Sequence, residues 1–154
     1  MNSVQQNGPG GWVRFSSVID SGSAENVMPL AAAGHLPIQS STGSANGQVY
    51  YGADGSVIPN KGQKTVTMYT EEMGSELKAT YQVAPVTKPL TSVGKVCDAG
   101  NECYFNSEGG WIYNCQTGTA TWFPREVGVY MMHNWLWTGD PAENPKSGFS
   151  RQER

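Results

Sequence analysis

Trp12-Val13-Arg14-Phe15-Ser16-Ser17-Val18-Ile19-Asp20-Ser21-Gly22-Ser23 is the stretch on which the fold turns. Trp12, Val13, Phe15, Val18 and Ile19 make residues 12–19 a strand by composition. Asp20 falls at the end of that strand, inside a tight turn. Gly22 lets the chain fold back and lets another backbone pass close by. Ser21 and Ser23 carry hydroxyls that can hydrogen-bond the turn or the carboxylate. Turns in general are rich in Asp, Ser and Gly, so an ordinary turn also accounts for Asp20. The apolar residues before it and the short return Ala24-Glu25-Asn26-Val27-Met28 favour a built site.

The chain has 154 residues, enough for one domain with a real core and not for two full lobes. Its formal net charge of −3 and scattered lysines argue against a nucleic-acid surface. Three cysteines, Cys97, Cys103 and Cys115, are too few for a disulfide framework, so a reducing compartment is expected. No run long and apolar enough to span a bilayer is present, and Met1 opens no signal-peptide pattern. A soluble, cytoplasmic protein with no membrane partner is the expectation. His35 and His133 with the three cysteines fit no paired-ligand spacing, so neither a metal nor a cofactor is expected. No serine or cysteine nucleophile has a histidine in a recognisable setting.

Composition predicts a mainly β chain. Residues 1–11 are polar and end in Gly8-Pro9-Gly10-Gly11, which reads as a flexible arm or edge segment. Residues 26–33 are short and apolar, and 40–47 form a Ser/Gly/Asn loop. Residues 48–58 predict a hairpin turning at Gly52-Ala53-Asp54-Gly55, since Asp-Gly between β-rich runs is a strong hairpin signal. Strands are expected over 65–69 and 77–83, and one short helix over 91–99, stopped by Gly100. Beyond it, strands are expected at 103–105, 111–114 and 119–123, with a turn at 106–110 and a last apolar run at 128–137. The domain is thus 12–137, with a β extension over about 109–137. The polar segment 138–154, with Pro141 and Pro145, reads as a disordered tail.

Asp-Ser/Thr-Gly after two β-branched residues is the motif of aspartic peptidases, and the order of the pieces narrows the likeness. Asp20-Ser21-Gly22-Ser23, then Ala53-Asp54-Gly55-Ser56-Val57-Ile58-Pro59-Asn60-Lys61-Gly62, then Pro89-Leu90-Thr91-Ser92-Val93, resemble the retropepsins, the one-lobe proteases of retroviruses and retrotransposons. They are most similar to copia-type retroelement proteases. In that lineage an Ala-Asp/Asn-Gly-Ser hairpin and a Leu-Leu-Ser-Val segment take these places. The resemblance covers residues 12–137. This chain departs from retroviral members in having Ser21 for Thr, Ala24 for an acid and Ser92-Val93 for Gly-Arg.

The resemblance implies a single-lobe, closed β-barrel with one short helix, assembled as a symmetric homodimer. Only one Asp-Ser-Gly is present, since Asp54-Gly55-Ser56 and Asp98-Ala99-Gly100 lack the central hydroxyl. A second catalytic aspartate must therefore come from another copy of the chain. Two facing Asp20 carboxylates would share one proton and activate a water. The expected function is a retroelement aspartic endopeptidase that processes its own polyprotein, with a bell-shaped rate profile on the acid side of neutrality. Ser21, Gly22 and Ser23 form the active-site turn. Residues 48–62 would be a flap, with Gly52, Ala53, Asp54 and Gly55 over an extended peptide substrate, and Ala24, Val27, Ile58 and Leu90 lining subsites. The alternative is a catalytically inactive module of the same fold that binds peptides or dimerises.

Overall fold

Strand β2 (Trp12–Asp20) is the spine of the molecule, and its inward side chains explain why. Val13, Phe15, Ser17 and Ile19 are buried at alternate positions, as a strand with one face on a core requires. In this computed structural model the described residues are 6–7, 9–71 and 75–145. Predicted features at 1–5, 8, 72–74 and 146–154 lie outside them.

Among the described residues the chain is mainly β with two short α-helices. Beside β2 run β1 (Gln6–Asn7), β3 (Val27–Met28), β6 (Gly62–Thr70), β7 (Glu76–Val83), β8 (Leu90–Ser92) and β12 (Val129–Trp137). β2, β8, β3, β7, β6 and β12 pair in that order, and β12 pairs again with β2, which closes the circuit. The seven-residue antiparallel register from Met131↔Val18 to Trp137↔Trp12 makes that closure. Phe15, Met28, Val66, Met68, Tyr81, Val83 and Leu136 fill the core inside. Phe15 and Tyr81 meet edge to face at 5.3 Å, a favoured aromatic geometry.

The extension is an antiparallel meander of β9 (Asn101–Phe105), β10 (Gly109–Asn114) and β11 (Ala120–Glu126) leading into β12. It encloses a second core of Ile19, Ile112, Phe123 and Met132. Because Ile19 immediately precedes Asp20, the extension packs directly beneath the Asp20 turn.

Three expectations need correction. The helix expected over 91–99 is α2 (Val93–Asp98), because Thr91 and Ser92 are drawn into β8 by parallel pairing with β2. One helix was expected and two are present: α1 (Thr42–Ala45) sits in the 40–47 loop, nucleated by a reciprocal cap between Ser41 and Ser44. The turn expected over 106–110 gives way to strand at Gly109. A Cβ on Gly109 would stand 2.5 Å from the Trp122 ring, and one on Gly110 2.5 Å from the Phe123 ring. Two aromatics of β11 thus occupy both faces of a glycine pair. At the ends, Gln6–Asn7 pairs with Val13 and Arg14 at the edge of the sheet, and Pro141–Glu143 forms a 3-10 turn. Asn144 Nδ2 there donates to the Tyr69 hydroxyl at 3.1 Å.

Candidate active site

Asp20 is half-buried at the last position of β2, and its Oδ1 accepts a hydrogen bond from Gly22 N at 2.8 Å. This closes a small side-chain-to-backbone turn. A Cβ on Gly22 would sit 3.3 Å from that same oxygen, so a residue without a side chain suits the position. Ser21, Gly22 and Ala24 are exposed. Ser23 Oγ donates to Glu25 O at 2.6 Å, so this hydroxyl serves the turn rather than the carboxylate.

The strands that enter and leave the turn are held by one third strand. β8 lies between β2 and β3, parallel to β2 with Asp20 opposite Ser92, and antiparallel to β3 with Val27 opposite Leu90. Ser92 is fully buried and uses its hydroxyl twice, donating to Ser23 O at 2.7 Å and accepting from Lys95 N at 3.1 Å as the cap of α2. Asn26, also buried, accepts from Ser92 N at 2.8 Å and donates to Thr80 O at 3.2 Å. Below, a chain of buried hydroxyls joins three strands: Ser17 Oγ to Thr91 Oγ1 at 2.6 Å, and Tyr81 OH to Thr91 Oγ1 at 2.7 Å. Burial pushes the Tyr81 phenol up to about 12. Buried polar groups are costly unless paired, so these bonds select one register for β8.

Strands β4 (Val49–Tyr51) and β5 (Val57–Pro59) form a separate two-stranded hairpin. At its tip Gly52 N donates to Ser56 O and Gly55 N to Gly52 O, both at 2.9 Å. Gly55 has φ 82, a conformation that favours glycine. Asp54 Oδ1 accepts from Ser56 N at 2.9 Å, and its hydrogen bonds to Ser56 hold the carboxyl below its ordinary range. Ala53 and Asp54 are exposed, as are Tyr51 and Val57 at 72% and 61%, so the hairpin stands off the body.

Its base is fixed. Asn60 is buried, and its Nδ2, whose two hydrogens are shared among three acceptors, lies 3.2, 3.3 and 2.9 Å from Gln48 Oε1, Tyr50 OH and Gln82 Oε1, while its Oδ1 accepts from Gly62 N at 2.8 Å. Burial, then the charge of Glu25, raises the Tyr50 phenol, which places the hairpin within electrostatic reach of the Asp20 turn. Glu25 in turn faces Lys95 at 3.7 Å.

The other expected positions are divided. Val27 is buried at 5% and turned into the body, so in a single chain it lines no open surface. Leu90 is half-buried beside it, whereas Ile58 stays on the hairpin, its Cδ1 against Gly52. Asn26, Ser92 and Asn60 organise the site, yet only the helix-capping potential of Ser92 carries a local sequence signal. Among the described residues no group of three His, Cys, Asp or Glu side chains could hold a metal ion. His133 bridges Ser16 Oγ at 2.7 Å and the Glu126 carboxylate at 3.0 Å, a structural tie between β2, β12 and β11. No helix among the described residues is long and apolar enough to cross a membrane. No protein-family model, curated protein or solved structure matches the chain significantly.

Proposed function

We propose that this chain is a retropepsin-type aspartic endopeptidase that acts as a symmetric homodimer on extended peptide segments of its own polyprotein, in a reducing, cytoplasmic setting. The observation that carries the reading is the clamping of both arms of the Asp20 turn by β8, which presents one carboxylate on a rigid strand end. The separate Val49–Pro59 hairpin supplies a lid of the size an extended peptide needs. In the proposed dimer the closed circuit of six strands is the lobe, and each copy contributes one Asp20 to a dyad that shares one proton.

The ionised member takes a proton from a bound water, whose oxygen forms a bond to the scissile carbonyl carbon. The protonated member donates its hydrogen to the carbonyl oxygen, giving a neutral gem-diol. Collapse breaks the C–N bond, with a proton passing to the leaving nitrogen, and the dyad returns to its single-proton state. The hairpin excludes water and offers backbone groups to the peptide as an added strand would.

The test is cleavage of a peptide mixture drawn from the flanking polyprotein by the wild-type chain and by Asp20→Asn. The reading expects turnover to fall by about 10²–10⁴-fold in the variant, with dimerisation in sedimentation unchanged. Equal cleavage by both proteins, or an active chain that sediments strictly as a monomer, rejects it. No cleavage by a stable dimer of the wild-type chain leaves an inactive peptide-binding module in its place.

A further inference from the structure

The meander carries an aromatic surface that neither core nor active site uses. On β9, β10 and β11 the inward residues Cys103, Ile112 and Phe123 face the second core. The outward positions include Glu102 and Tyr104, Trp111 and Tyr113, and Ala120 and Trp122. Registers Trp111↔Tyr104 and Trp111↔Trp122 set three rings in one row across the strands, and Tyr113 lies opposite Glu102 in the next row. Tyr104, Trp111, Tyr113 and Trp122 are 54%, 42%, 37% and 38% exposed. Adjacent rows lie about 7 Å apart along a strand, and neighbouring strands about 4.8 Å apart. The rings therefore make one continuous platform and not four scattered residues. Contiguous exposed apolar patches of this kind mark interaction sites.

The arrangement is braced. The Trp122 indole lies over Gly109, where any side chain would collide with it, and it meets Trp111 edge to face at 5.0 Å. The Tyr104 hydroxyl donates to Glu102 Oε1, fixing the carboxylate at the margin of the rings. The same carboxylate pushes up the Tyr104 phenol, first through that hydrogen bond. The Cys115 thiol is raised by burial and then by Glu102, so the negative field extends over this side of the sheet.

Charge selects the occupant. The charged side chains at outward positions of these three strands are both acidic, Glu102 beside the rings and Glu126 at the end of β11, where it is tied to His133 at 3.0 Å, and aromatic faces are themselves electron-rich. The basic residue of β11, Arg125, is engaged elsewhere, over the Tyr130 ring at 5.7 Å and on Ser107 O at 3.4 Å. A platform for nucleotide bases would need lysines or arginines to meet the phosphates, and this face offers a carboxylate instead. We infer that the outward face of β9–β11 is a docking site for an extended peptide segment bearing a lysine or arginine side chain, held over the Trp111, Tyr104 and Tyr113 rings with its charge toward Glu102. The site is independent of Asp20 and needs no catalysis.

The experiment is fluorescence anisotropy of the full chain with a short labelled Gly/Ser peptide carrying two arginines, against its neutral two-citrulline counterpart and a labelled oligo(dT). The arginine peptide should bind at least about ten-fold more tightly than the citrulline peptide, and Glu102→Gln and Trp111→Leu should each weaken it by about three-fold or more. Both variants replace exposed side chains, and unchanged circular dichroism and thermal midpoints establish that they fold. Citrulline binding as tight as arginine binding overturns the cationic preference. Binding indifferent to both variants overturns the site. Preferential capture of oligo(dT) makes the face a base-stacking platform and rejects the peptide assignment, as does failure of the arginine peptide to bind at millimolar concentration.

Discussion

Asp20 and Ser92 stand opposite one another on parallel strands, and the Ser92 hydroxyl holds the far side of the Asp20 turn through Ser23 O at 2.7 Å. The same oxygen caps α2 by accepting from Lys95 N. One buried side chain therefore couples three things: the end of β2, the return of the turn and the start of the helix. The β8 strand is only three residues long, too short to hold its place by its own ladder. Its register rests on the buried polar contacts of Ser17, Asn26, Thr91 and Ser92.

Removing Asn26 should expose that dependence. Asn26→Ala leaves the buried Ser92 N–H and Thr80 carbonyl without this partner, and an unsatisfied buried group costs about 1–3 kcal/mol. Asn26→Leu is close in volume and removes the same two contacts, so its loss in urea denaturation should be of similar size. Losses in both variants support a positioning role; a Leu variant as stable as wild type would assign the effect to volume alone.

Asn60 should behave as the anchor of the hairpin. Asn60→Ala removes the amide's donations to its three neighbours and the bond it accepts from Gly62 N at the base, while leaving the tip bonds intact. Hydrogen exchange at the Asn60 amide, bonded to Gln48 O at the base, should accelerate by about ten-fold or more, and global stability should drop by about 1–3 kcal/mol. Asp54→Ala, which loses only the turn contacts to Ser56, should quicken exchange at the tip alone. Uniform acceleration in both variants would mean that the hairpin opens as one unit with no separate base.

Much of this design was legible from composition. The strand ending in Asp20 is marked by its β-branched and aromatic run, and the Val49–Pro59 hairpin by Asp54-Gly55, because both signals are local. The turn contacts of Asp20 and Gly22 are local too. Gly109-Gly110 reads as a turn because its strand character depends on Trp122 and Phe123 packing over it from another strand. Thr91 and Ser92 read as helix because their strand partner, Asp20 with its neighbours, lies far back in the chain. Asn26 is invisible as a site residue for the same reason: its partner Ser92 is 66 residues away. The α1 cap uses Ser44 where a glutamate or glutamine is the usual partner, so no familiar pattern announces it. The aromatic platform was also missed, since Tyr104, Trp111 and Trp122 become neighbours only through strand register.

The buried Lys64 gives a charge-coupling test. Its ammonium donates to Ala32 O at 2.9 Å and Ala33 O at 3.0 Å, and burial lowers its pKa. His35 is lowered too, by burial first and by the Lys64 charge second. In Lys64→Met the His35 titration followed by NMR should move up toward 6.5 without reaching it, because the larger cause remains. Lys64 also bears on stability. A lysine with a depressed folded pKa binds fewer protons folded than unfolded, so its charge costs stability at neutral pH and the cost fades as pH rises toward 10.5. Wild type should therefore gain on the Met variant as pH is raised through the alkaline range below 10.5.

Tyr81 sets the opposite trend at still higher pH. Burial raises its phenol from 10.0 to about 12 in the folded chain, with the hydrogen bonds to Thr91 and Ser17 pulling the other way. Between those values the unfolded chain gives up the proton while the folded chain keeps it. Stability from this group is full below pH 10 and is lost as pH climbs to 12, by roughly 3 kcal/mol from a two-unit shift. Tyr81→Phe should lose about 1 kcal/mol at neutral pH with the hydroxyl contact to Thr91. Its unfolding free energy should then fall less steeply than that of wild type between pH 10 and 12. Tyr69, also raised to about 12 by burial and by its hydrogen bond to Glu76, leaves a residual slope in the variant. Parallel curves for wild type and Tyr81→Phe across that window would mean that the phenol is not sealed in the core, and that the hydroxyl chain from Tyr81 through Thr91 to Ser17 does not hold β8 beside Asp20.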